Sequence, residues 1–268
     1  MTAIARAVAE NFVVAQRLWT KSDAILARRY GLANATRRGV VCFSAASFPE
    51  PFGDLAIGFG VGRPPTRGVL DAVLAHYAGL RLTPRIALLG RHASRAAARL
   101  LRDAGLREVE PQHHVFVRAG RAMPRAMPEP DVAIERVAAR DAAPLAFLAQ
   151  SGFGGGGPIA EYFTRTRIAM LRDHLRTAVA VRATRDREPA GSGIVIVSSG
   201  AASLWSGSVL PAHRGHGIQR ALIAERVRIA IARGSRVCFS LAEPAGRSAR
   251  NLRAVDFHDH GPLRVFTT

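Results

Sequence analysis

Between Val209 and Ala230 the chain reads VLPAHRGHGIQRALIAERVRIA: an apolar run, a proline, a turn, then a long helical stretch. In the helix expected over 217 to 233, Ile223, Val227, Ala230 and Ile231 fall on one side. Ile218, Leu222 and Ile229 fall on a second. A helix apolar on two sides has to be covered on more than one, which restricts the chain to a layered fold. The turn holds Arg214, Gly215, His216 and Gly217 in succession. Glycine serves where the backbone takes a left-handed path or lets something approach it. A helix start presents free N–H groups and the positive end of the dipole. Together they suit an anion, most naturally a phosphate or pyrophosphate. The plainer reading of the same residues is a tight strand-to-helix turn with a solvated arginine.

The segments around this turn complete an alternating order. VAIERV (132 to 137) alternates like a strand, and Asp141 begins a short helix. Pro158 opens a second helix to 173, with Ile159, Phe163, Ile168 and Leu171 on its apolar face. RTAVAVRA and GIVIVSS read as strands joined by a turn at PAG (189 to 191). ASLWSGSVL is a further strand, with Gly207 marking a bulge. After helix 217 to 233 come the strand RVCFSL, a short helix over RSARNLRAV, and a final strand LRVFTT. The order β-α-α-β-β-β-α-β-α-β is that of a mixed sheet with helices packed on it.

The stretch RAGRAMPRAMPEPD lacks periodicity and reads as a connection, placing domains at 1 to 120 and 132 to 268 with a linker at 121 to 131. The first domain ends as the second does. Gly105-Leu106 aligns with Asp256-Phe257, and Val115 to Val117 with Phe266 to Thr268. This is a faint internal repeat. Its first copy has no glycine turn opening a helix, and Pro64-Pro65 stand where one would lie. Helices over 1 to 18 and 68 to 79 are expected core elements of that copy.

Composition narrows the function classes. A hydrophobic fraction of 48% belongs to a folded globular chain, and no apolar run reaches membrane-spanning length. Cys42 and Cys238 sit in apolar runs and read as buried thiols, with no disulfide framework or metal cluster. The first eighteen residues carry Arg6, Glu10 and Arg17 and lack a secretory core, so a cytoplasmic protein is expected. The net charge of +18 is almost all arginine, scattered rather than blocked. A dedicated nucleic-acid binder would concentrate it.

The combination of V-x-P (Val209, Pro211), R-G-x-G, a long helix, a strand, then Ser248 and Asn251 on a short helix and Phe257 resembles the Gcn5-related N-acetyltransferases. The match covers roughly 132 to 268, strongest over 200 to 257. The N-terminal half resembles a degenerate second copy, as in two-domain members. The resemblance implies an α/β (α+β) fold with a mixed, mostly antiparallel twisted sheet flanked by helices. It is the acyl-CoA N-acyltransferase type, here duplicated. The sequence departs from the pattern at Gln219 (usually Gly or Ala), Leu252 (usually Tyr) and Asp256 (usually Gly).

That resemblance also implies a site and a reaction. Acetyl-CoA is the implied co-substrate, its pyrophosphate held by the backbone of Arg214, Gly215, His216, Gly217, Ile218, Gln219 and Arg220. Arg214 or Arg220 adds charge, and His213 and His216 add donors when protonated. Ser208, Val209 and Leu210 offer main-chain groups to the pantetheine arm as a splayed strand, and Asn251 bonds the arm or orders its loop. A primary amine then attacks the thioester directly. Glu243 and Glu161 are candidate bases, Tyr162 a candidate wall, and Ser248 the candidate acid in place of the missing tyrosine. No metal is required. The acceptor is a small-molecule amine or a peptide, and the protein a monomer or homodimer. The alternative is a non-catalytic acyl-CoA-binding or interaction module of the same fold.

Overall fold

The computed structural model describes residues 3–48, 54–90, 94–109, 113–125, 131–154, 156–198 and 200–268. Residues 126–130 of the expected linker and Gly155, one of four consecutive glycines at 154 to 157, lie outside them. The chain makes two compact units. One consists of Met1–Val115, Leu241–Pro244 and Asp259–Thr268, the other of Phe116–Ser240 and Ala245–His258.

The first unit contains helices α1 (Ala3–Lys21), α2 (Ala24–Arg29), α3 (Arg67–Gly79) and α4 (Arg95–Asp103). Its strands are β1 (Leu32–Arg37), β2 (Val40–Ala45), β3 (Leu55–Ile57), β4 (Arg85–Leu89), β5 (Arg107–Val109) and the chain's last strand, β12 (His258–Thr267). They pair in the order β1-β2-β3-β4-β12, with β5 also on β12. Only β3 and β4 run parallel among the pairs formed. β2, VVCFSA, is buried along its whole length, as a strand covered on both faces must be apolar throughout. Phe59, Leu70, Val73, Tyr77, Ile86 and Leu101 fill the core, together with Phe266 from β12. Tyr77 donates its hydroxyl to Phe43 O at 2.8 Å, so the buried phenol stays hydrogen-bonded.

The second unit holds β6 (His114–Ala119), β7 (Val132–Arg136), α5 (Ala142–Phe153), α6 (Gly157–Asp173), β8 (Ala178–Arg185), β9 (Glu188–Ser198), β10 (Ala201–Val209), α7 (Ile218–Ala232), β11 (Val237–Ala242) and α8 (Arg247–Arg253). Its sheet order is β6-β11-β10-β9-β8-β7. The pairs β7-β8, β8-β9 and β9-β10 are antiparallel, and β10-β11 is parallel, joined through α7. From β7 to β12 the elements follow the order read from periodicity. Helix α7 buries Ile218, Leu222 and Ile229 as well as Ile223, Val227 and Ala230, so both apolar sides are covered.

Three local readings need correction. The β8-β9 turn lies at Asp186-Arg187, both left-handed (φ 51° and 67°), and Pro189 to Gly191 fall inside β9. Pro189 sits beside a register shift, where its missing N–H disturbs the ladder least. Helix α6 buries Tyr162, Thr164, Thr166, Arg167, Met170 and Leu171 rather than Phe163 and Ile168, which are half-buried. The last strand, read as LRVFTT (263 to 268), begins five residues earlier and runs His258–Thr267.

The aligned endings of the two halves share a closure. After α4, Leu106 N donates to Leu101 O at 3.0 Å with Gly105 left-handed. After α8, Phe257 N donates to Leu252 O at 3.1 Å with Asp256 left-handed. Each is the helix stop that usually takes glycine. The following strands exchange: most of β6 joins the second unit, and most of β12 the first. Cys42 and Cys238 are buried free thiols, as read from their apolar runs. No helix among the described residues is long and apolar enough to cross a membrane.

Candidate functional site

β10 and β11 pair over only three residues, Ala201–Ser203 against Val237–Phe239. Beyond them the ladder stops, and Ser240 Oγ donates to Leu204 O at 3.1 Å. On its other side β10 stays paired with β9 but slips register between Trp205 and Ser208, with Ser206 left-handed at φ 49°. Gly207 lies within this bulge, where the sequence signalled it. Among the described residues, the end of the strand therefore has no strand partner on that side.

Past Val209 a short 3-10 turn, Pro211–His213, leads into the glycine turn. Gly215 and Gly217 both have left-handed backbones (φ 96° and 67°), which L side chains rarely adopt. Gly217 is the N-cap of α7, and no side chain caps that helix. The first main-chain bond is Ala221 N to Gly217 O, so the N–H groups of Ile218, Gln219 and Arg220 lie ahead of the ladder. The first unit handles the same kind of strand-helix junction differently. There the N-cap of α3 is Thr66, and its hydroxyl accepts from Val69 N at 3.4 Å. One helix start has a side-chain cap on one of its N–H groups; the other has none.

The end of α5, the bulged end of β10, the glycine turn and one face of α8 enclose a cavity of about 780 Å³. Arg214, Arg220, Arg247 and Arg250 line it, and no Asp or Glu does among the described residues. Such a lining favours anions. Gln219 Oε1 and His213 Nδ1, both on lining residues, are buried with no hydrogen-bond partner among the described residues. Buried polar atoms left so are a recognised mark of a missing ligand or water.

Most residues expected at the site meet here: Ser208, Val209, Arg214, Gly215, Gly217, Ile218, Gln219, Arg220, Ser248 and Asn251 line the cavity. Leu210 does not, its N–H being used on Ala190 O. His216 is also outside the lining; the nearby Asp131 carboxyl lies below its ordinary range. That carboxyl is held low chiefly by its hydrogen bond from Arg185. Arg214 is turned partly inward: Nε donates to Val209 O at 3.3 Å and Nη2 to Gly152 O at 3.1 Å. Of the candidate acids and bases, only Ser248 is on the lining. Glu161 lies on exposed helix surface beside Arg165, at 3.5 Å, and Glu243 is exposed at the end of β11. Tyr162 is buried off the cavity, with its phenol pushed above the usual range by burial. Leu252, in the usual tyrosine position, is a buried residue of the α8 closure. Sequence reasoning missed Phe153, Arg247 and Arg250. The two arginines stand three apart on the helix of Asn251, a spacing that shares one face.

The cavity suits coenzyme A by the chemistry of its residues. An acid-free set of guanidiniums matches phosphate groups, the open helix start matches a pyrophosphate, and the bare β10 edge matches an amide-rich arm.

No protein-family model matches the chain, and no curated protein matches it. Solved structures do. A GCN5-related N-acetyltransferase from Kribbella flavida aligns over 100% of this chain and 96% of its own, with TM-score 0.65 and 14% identity. A tandem GNAT protein from the clavulanic acid biosynthesis pathway aligns over 85% of this chain and 78% of its own, with TM-score 0.62 and 16% identity. A GCN5-related N-acetyltransferase from Sphaerobacter thermophilus aligns over 99% of this chain and 92% of its own, with TM-score 0.57 and 18% identity. These likenesses establish the fold. The chain has mixed, mostly antiparallel twisted β-sheet flanked by helices, in a duplicated arrangement like that of the GCN5-related acyl-CoA transferases.

Proposed function

We propose that the protein is an N-acetyltransferase that moves the acetyl group of acetyl-CoA to a primary amine by direct attack. The observation that carries this reading is the joining of three features in one acid-free cavity. They are an uncapped helix start behind two left-handed glycines, a bare strand edge, and four arginines. The backbone of 215 to 220 holds the pyrophosphate, with Arg220, Arg247 and Arg250 as the phosphate charges. Ser208 and Val209 hold the pantetheine arm, and Asn251 orders it from α8. Acetyl-CoA supplies the activated acyl carbon.

With no carboxylate on the lining among the described residues, the amine arrives neutral, and the surrounding positive charge keeps it so by disfavouring its ammonium form. Ser248 is the lining hydroxyl that relays a proton: it gives its own to the departing thiolate and takes the one the amine nitrogen loses. The field selects neutral or acidic amines, small molecules or peptide ends, over polyamines. We assign the N-terminal half the role of a copy without phosphate binding, since the Thr66 hydroxyl caps α3 and Pro64-Pro65 stand where a phosphate turn would lie.

A second reading has its own support: acyl-CoA is bound but not transferred. Glu161 and Glu243 stand off the cavity, and Leu252 replaces the usual phenol. Thiol release from acetyl-CoA, followed over a panel of neutral, acidic and cationic amines, separates the two. Thiol release with an acidic or neutral amine supports transfer. Saturable binding with no release across the panel supports the binding module.

A further inference from the structure

Arg226 stands in the middle of α7, 2% exposed, between Ile223, Val227 and Ile229 on the same buried helix. Its Nε donates to Leu222 O at 2.9 Å, one turn back. Its Nη1 donates to Trp205 O at 3.2 Å, where the bulge of β10 begins. Among the described residues no carboxylate reaches it, and burial alone pulls its pKa down to about 9.

Two glycines make room for this guanidinium. A Cβ on Gly193 of β9 would lie 2.7 Å from Nε, and one on Gly207 would lie 3.0 Å from Nη2. The amide nitrogen of Gln219 would be 2.8 Å from that same Gly207 Cβ. Gly207 itself lines the cavity. A positive charge therefore sits directly behind the strand that forms the cavity wall, separated from it by one glycine backbone. Burying a cation without an acid is costly, and an apolar side chain of the same volume would pack there without that cost. The two flanking glycines show a site shaped around the guanidinium.

We propose that Arg226 is a positioning and polarising residue for acyl transfer: it ties down the bulge of β10 and puts uncompensated positive charge behind the acyl oxygen. The inference rests on the acetyl-transfer reading above. In that reaction the amine nitrogen bonds the acyl carbon, and the C=O π pair moves onto oxygen. The pair returns as the C–S bond breaks; the nitrogen loses a proton and the thiolate gains one. Between these events the oxygen carries negative charge. A fixed cation in a dry, low-dielectric position stabilises that charge with no reorganisation. An ion pair to a carboxylate would cancel the effect, which is why the absence of an acid beside Arg226 matters.

The test uses the full chain, acetyl-CoA labelled with carbon-13 at the acetyl carbonyl, and the variants R226M and R226K. Affinity is read by calorimetry, fold by thermal melting, and polarisation by the infrared stretch of the bound carbonyl. Where an amine is turned over, kcat and KM are read separately. The wild type should shift the carbonyl to lower frequency on binding. R226M should bind within about threefold, melt no lower, and lose most of that shift, with kcat down by about tenfold or more and KM little changed. R226K should keep part of the shift. An R226M protein that binds and keeps the full shift overturns the proposal, as does a shift lost only in step with affinity. If R226M fails to fold, R226K decides: a folded, CoA-bound lysine variant with no shift overturns it, and one with a partial shift supports it. No binding by the wild type overturns the cofactor reading and this inference with it.

Discussion

Arg214 Nη2 donates to the carbonyl of Gly152, 3.1 Å away and 62 residues earlier in the chain. The arginine that opens the glycine turn thus pins the end of α5 to the end of β10, where its Nε also meets Val209 O. Its charge still lies on the cavity, but two of its donors belong to the protein.

Replacing it should therefore affect fold and ligand together. R214A is expected to lose about 1 kcal/mol of stability, a charged hydrogen-bonding group discounted for its exposure. It should also weaken CoA. Urea unfolding beside calorimetry measures both. A variant of unchanged stability would mean that the two carbonyl bonds contribute nothing.

Backbone conformation predicts opposite signs at two glycines. Gly217 is left-handed, so G217A should cost roughly 1 to 2 kcal/mol. Gly79, at the end of α3, has no left-handed backbone and open space where a Cβ would go. G79A should gain about 0.5 kcal/mol, chiefly by restricting the unfolded chain. Equal effects in the two urea titrations would contradict the backbone argument.

Acid sensitivity should be traceable to Glu108. Arg264 grips its carboxylate with Nε at 2.6 Å and Nη2 at 2.7 Å, and Arg102 adds a bond at 3.0 Å. The hydrogen bond from Arg264 chiefly holds the carboxyl below its ordinary range. Its folded value is thus lower than its unfolded one. The stabilisation is fully present above the unfolded value and disappears as pH falls through the folded one. E108Q should be less stable than wild type at neutral pH and converge with it in acid. A gap that widens on acidification would reverse the sign.

Much of this was legible in the residues, and the parts that were not have physical causes. The α7 turn announced itself because two left-handed positions need glycine, and the bulge because Gly207 interrupts an apolar strand. The helix stop at Asp256 was readable through its likeness to Gly105-Leu106. Arg226 was hidden, since its position on α7 is buried and composition alone takes an arginine for a solvated one. The hairpin at Asp186-Arg187 was hidden too, because neither residue is glycine while the neighbouring PAG looks like a turn. The destination of β12 depends on which strands it pairs with, and a strand's own alternation does not carry that. Arg247 and Arg250 became site residues only when α8 was seen to face the cavity.

The central claim is that the open start of α7 and its acid-free surroundings hold coenzyme A. Calorimetric titration of the wild-type chain and of an R220A/R247A/R250A variant with CoA tests it most directly, each at two salt concentrations. One CoA per chain should bind the wild type at micromolar concentration, because Thr66 already occupies the corresponding helix start of the first unit. The variant should bind more weakly by roughly two- to fivefold per arginine removed, with a shallower salt dependence. No heat of binding at micromolar CoA, or an affinity untouched by removing the three guanidiniums, would contradict the account.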